Sequence, residues 1–211
     1  MFVIVHNNYV ILGPKKWNKL NFEEVLLEEC EVTYALDTRN DNRDPIIINE
    51  NTKILPVVGL SEPAFNSKIQ RLDGPYWNLS DTEAQMYYTV GDLPIEAVKN
   101  RLKEVVAYNR YVKESEGIKI EVQNTLVSID TARGSREIFF NTWLSMLEEE
   151  TVNWKFPETW MTVSKSDMFS IVSAGKSHIQ SCFDWEQNKT IEIESASTLE
   201  DLDAIELKVD F

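Results

Sequence analysis

Cysteine is nearly missing from this chain: 211 residues hold two, Cys30 and Cys182. A pair so far apart in sequence is no disulfide framework. Each falls on the apolar face of a predicted helix, where a free thiol packs as a small hydrophobe. Histidine is equally scarce. His6 and His178 are the only two, too few and too distant for a metal site or a catalytic triad. Seven glycines leave no room for a glycine-rich phosphate loop. Basic residues are outnumbered 21 to 35 by acidic ones, for a net charge of −14. A chain so charged repels a phosphate backbone and an anionic bilayer surface, so no nucleic-acid partner is expected. No apolar run reaches the roughly 18 residues a spanning helix needs, which excludes insertion as a helix. The first residues, Met-Phe-Val-Ile-Val-His, carry no basic start or cleavage pattern, so no secretory leader is expected.

What is present is core material: 43% apolar residues, with six Trp and nine Phe. The first 92 residues read as a β-rich module for attachment or interaction. Phe2-Val-Ile-Val5 and Tyr9-Val-Ile-Leu12 flank His6-Asn7-Asn8, a hairpin signal because Asn tolerates positive φ. Asn21 can cap a short helix with Phe22, Val25, Leu26 and Cys30 on one face. The acids Glu28, Glu29 and Glu31 beside it read as a solvated face, since nothing near them has ligand character. Strand candidates follow at 32–36, 45–48, 53–58, 69–72, 76–79 and 85–90. Pro56 argues for an edge or bulged strand, and Asp73-Gly74-Pro75 for a turn.

Pro94 opens a connecting helix spanning about 93–116. Ile95, Val98, Leu102, Val105, Asn109 and Val112 repeat at 3-4-3-4-3. This is either a short heptad seam, with Asn109 setting register between copies, or one amphipathic helix packing on its own domain. Residues 117–211 alternate hairpins and helices. Strands at 118–122 and 126–129 flank Gln123-Asn124-Thr125, and a helix near 131–149 presents Ser135, Ile138, Phe139, Thr142, Trp143, Met146 and Leu147 to the core. A second hairpin turns at Pro157-Glu158. Ser164 and Asp167 form a capping box for a helix reaching about 188, with Met168, Ile171, Val172, Gly175, Ile179, Cys182 and Phe183 as its stripe. Thr198 caps a last short helix. The class is α+β.

Candidate sites are sparse. Arg133 and Arg136 share a face at a helix start. They could hold an anion or meet an interface, or they pair with the chain's own carboxylates. With Asn109 they form the set of interface candidates. Trp143, Trp154, Trp160 and Trp185 could make a sugar-stacking platform, but the alternation around Trp154 and Trp160 favours core packing. His178 and Cys182 lie one helical turn apart. A catalytic Cys/His pair usually comes from separate elements in a pocket, so no catalytic residue, no metal site and no cofactor is assigned.

The order of Gly-Ile-Lys-Ile-Glu-Val (117–122), Ser-Ile-Asp-Thr-Ala-Arg-Gly-Ser-Arg-Glu-Ile (128–138), Val-Asn-Trp-Lys-Phe-Pro-Glu-Thr-Trp (152–160), the helix with His178-Ile-Gln and Phe183-Asp-Trp, and Thr198-Leu-Glu-Asp-Leu-Asp-Ala-Ile-Glu-Leu207 resembles a known family. It is a domain of unknown function carried at the C-terminal end of many tailed-bacteriophage tail-fibre and tail-fibre-associated proteins. The resemblance covers about 117–207 and implies a place of work rather than a chemistry. It implies a non-enzymatic virion component, made in the host cytoplasm. Such a fibre, tail-tip or baseplate adaptor would contact other phage tail proteins and could form a homo-oligomer, as a trimer. A tail-fibre assembly chaperone is the alternative; a glycan-acting enzyme is a remote one.

Overall fold

The computed structural model describes residues 1–15, 24–27, 32–35 and 44–211. It divides into two units, Met1–Asp92 and Leu93–Phe211, and the class is mixed α+β.

The first unit is built of strands: β1 (Phe2–His6), β2 (Tyr9–Lys15), β3 (Glu24–Leu27), β4 (Val32–Ala35), β5 (Ile46–Ile47), β6 (Thr52–Ser61), β7 (Gln70–Leu79) and β8 (Ala84–Asp92). Five of them run β2-β1-β6-β8-β7 in one sheet, with β5 added on β6. The β1–β2 hairpin turns on Asn7 and Asn8, both at positive φ (49° and 65°), the backbone that a two-residue turn between right-twisted strands demands. β1 lies between β2 and β6, and Phe2, Val3, Ile4 and Val5 are all buried. Both of its faces are covered, which explains the unbroken apolar run. Val3, Val5, Leu55 and Ala84 form the core on one face, flanked by Trp77 and Leu79.

Two expectations change here and one is narrowed. The helix expected from Asn21 is replaced in its middle by β3, paired antiparallel with β4; Phe22, Cys30 and Glu28, Glu29 and Glu31 lie outside the described residues. Three β-branched or leucine residues in a row, Val25, Leu26 and Leu27, suit an extended chain as well as a helical face, and strand pairing decided it. Pro56 sits in a central strand, not at an edge, and the strand is bulged just past it, with a register shift against β8 between Val58 and Leu60. The Val57 N–H donates to the Met1 carbonyl, so the Pro56 nitrogen faces the opposite side. There it falls between the β5 partners (Ile54, Lys53) and the start of β8 pairing at Val57, a gap where no ladder bond is lost. Asp73-Gly74-Pro75 is no turn either. β7 runs through it with a register shift between Asp73 and Tyr76 against β8, and Gly74 takes φ 140°, where a Cβ would sit 3.0 Å from Tyr88 and 3.1 Å from the Tyr76 nitrogen.

The second unit comprises α1 (Ile95–Ser115), β9 (Ile118–Val122), β10 (Thr125–Ile129), α2 (Arg133–Ser145), β11 (Thr151–Lys155), β12 (Trp160–Ser164), α3 (Lys165–Ser195) and α4 (Leu199–Ala204). α3 is held open at its start by the Ser164/Asp167 capping box and α4 by the same device at Thr198/Asp201. The β9–β10 hairpin turns on Gln123 and Asn124, again both at positive φ. The two hairpins, α2 and the first turns of α3 enclose one core: Val122, Val127, Ile129, Phe139, Met146, Phe156, Val163, Met168 and Ile171. Each fully buried side chain there contributes about 1.5–3 kcal/mol over an exposed one.

α1 is not a free connector. It packs on α3 within this unit through Val98, Leu102 and Val106. Lys99 donates to the Glu194 carbonyl at 3.0 Å and Lys103 pairs with Glu194 at 2.6 Å. The seam follows the 3.6-residue helical repeat. It therefore drifts off the heptad: Val106 is buried, while Val105 and Val112 are exposed.

Candidate functional site

The carboxylate of Glu114, near the end of α1, is nearly buried and holds two guanidinium groups. Arg110 Nη1 lies 2.5 Å away and Arg136 Nη2 2.6 Å. Arg110 also reaches Glu186 of α3 at 2.9 Å. The Glu114 carbonyl accepts the Thr131 hydroxyl at 2.6 Å, and Thr131 in turn accepts the Gly117 N–H at 3.0 Å. A buried side chain thus ties the end of α1 to the start of α2. Gly117 is required there: φ is 83°, and a Cβ would meet the Ile129 carbonyl oxygen at 2.9 Å. Burial works against the charge on Arg110, but hydrogen bonds to Glu114 and Glu186 and their negative charge outweigh it, so its pKa lies above the ordinary arginine value.

Beside this network a cavity of about 370 Å³ opens between α2 and α3. Its walls are Phe139, Phe140, Ile171, Val172, Ile179 and Phe183, with Gly175 on its surface and Arg136 and Lys176 among its polar residues. The volume lies at the lower end of the range for ligand pockets. Arg136 Nε is buried with no hydrogen-bond partner. The cavity continues into an aromatic row: Phe140 stacks on Trp143 at 5.8 Å between ring centres and Trp143 on Phe169 at 5.5 Å. Phe140, Leu144, Leu147 and Phe169 are all exposed. The groove so formed runs along α2 and α3 past Arg136 and Lys176, and at the head of α3 Lys165 pairs with Glu148 at 2.8 Å.

The three interface candidates do not converge. Arg133 is 88% exposed at its side chain and pairs with Glu137 at 3.4 Å. Arg136 turns inward to Glu114. Just before the helix start, Asp130 accepts the Ala132 N–H and the Ser135 hydroxyl. Those bonds, Ser135 first, hold the Asp130 carboxyl below its usual pKa. Both arginines meet the chain's own carboxylates, one of the readings open for them. Asn109 donates to the Leu207 carbonyl at 2.9 Å, within its own chain.

Of the tryptophans, Trp154 packs on Phe139 at 5.0 Å and Trp143 and Trp185 are half-buried. Trp160 departs from the expectation: it is 66% exposed, with Lys155 over its ring at 5.8 Å. Cys182 is buried and unbridged, and its Sγ lies 3.8 Å from His178 Nε2. Burial, followed by the Glu114 charge, pushes its thiol pKa up, the reverse of what a thiolate nucleophile needs. His178 Nε2 is also 2.9 Å from the Lys113 carbonyl. Among the described residues no group of three His, Cys, Asp or Glu could hold a metal ion, and no helix is long and apolar enough to cross a membrane.

The groove itself escaped sequence reading. Ile138 and Leu147, expected in the core, are 58% and 75% exposed. A signal existed. Ile138, Phe139, Phe140, Trp143, Leu144, Met146 and Leu147 are more apolar positions than one helix face can bury, so some of them had to be left outside.

Residues 97–206 match the family described as "Domain of unknown function (DUF4376)". The match spans more than half of the chain and all of the groove, and the chain belongs to this family. No curated protein matches the chain, and no solved structure does.

Proposed function

We propose that this member of the family is a non-enzymatic structural component of a bacteriophage tail, an adaptor or accessory protein of the fibre, tail tip or baseplate, acting through protein–protein contact. The observation that carries the contact is the exposed apolar surface of α2 and α3: Phe140, Leu144, Phe169 and, just past α2, Leu147 stand in water, and Phe140 also lines the cavity. Contiguous apolar surface of this kind marks an interaction site more often than scattered exposure does. The resemblance of residues 117–207 to the ends of tail-fibre proteins supplies the phage setting. The net charge of −14 fits a protein partner better than nucleic acid.

The test is mass spectrometry of purified, salt-washed virions of the encoding phage. Stoichiometric presence supports the structural role, and copy number then reports the symmetry of its position. Absence from virions with abundance in infected cells overturns it in favour of a transient assembly chaperone.

A further inference from the structure

We draw no further inference here: the strongest candidate, the apolar groove of α2 and α3 with the cavity lined by Phe140, Gly175 and Phe183, belongs to the surface already described, and nothing in the structure shows what covers it.

Discussion

Replacing Glu114 by glutamine tests the network that joins α1, α2 and α3. The side chain is 12% exposed, and its partners Arg110 and Arg136 are 21% and 30% exposed. Glutamine keeps the shape and one acceptor but loses the charge, and it turns an NH₂ toward a guanidinium. Removing one partner of a fully buried pair costs about 3–5 kcal/mol. Arg110 retains Glu186, and both arginines reach some solvent, so the expected loss here is about 2 kcal/mol. Urea unfolding followed by tryptophan fluorescence reports it well, because Trp143, Trp154, Trp160 and Trp185 all lie in the second unit. The midpoint should fall with the slope unchanged. Arg136→Met should cost less on its own, and the double variant should cost about 1 kcal/mol less than the sum of the two, because they share one interaction. A Glu114→Gln loss below about 0.5 kcal/mol, or strict additivity, would refute the reading of Glu114 as the hub.

Asp167 gives a pH prediction. Burial raises its pKa, but hydrogen bonds from the Ser164 N–H, Gln123 and the Ser164 hydroxyl outweigh this and hold it below the ordinary value. A carboxyl lowered by folding stabilises above its unfolded pKa, near 4, and that stability is lost as pH falls through the folded value. Asp167→Asn should therefore lower stability at pH 7 and flatten its dependence below about pH 4, read from melting curves; an unchanged acid limb would count against the capping assignment. The buried, raised Cys182 thiol should stay unlabelled by iodoacetamide at pH 8 in folded protein and react after unfolding, as peptide mapping would show, and rapid native labelling would contradict its burial. Gly134, near the start of α2 with nothing within 4 Å of a built Cβ, should give about 0.5–1 kcal/mol of added stability as alanine; a loss there would point to a contact not seen in the structure.

Local chemistry was readable from residues. Both Asn-Asn and Gln-Asn hairpin turns, the Ser164 and Thr198 caps and Pro94 at the head of α1 are decisions made within a few residues, and the side chains that make them are specific. What escaped was decided at a distance. Leu26 and its neighbours became a strand through pairing with 32–35, and Pro56 entered a central strand because its two partners stop and start on either side of it. The heptad on α1 failed for a related reason. Its spacing fits 3.5 and 3.6 residues per turn almost equally over three turns, and only the position of α3 selects Val106 over Val105. The groove was hidden by the habit of assigning every apolar residue of an amphipathic helix to the core.

The place of α3 in the chain has a consequence for synthesis. α1, α2 and both hairpins lie against this one 31-residue helix or its first turns. It follows them in sequence, so none of these pieces has its final neighbour when it leaves the ribosome. From the end of α1 at Ser115 to the end of α3 at Ser195 is about 80 residues, some 4 to 16 s of elongation. Through that interval Val98, Leu102 and Val106 stand exposed on a helix already able to form, alongside the valines and tyrosines that stay exposed afterwards. The nascent chain therefore passes through a stage at which the face of α1 that will meet α3 is still uncovered.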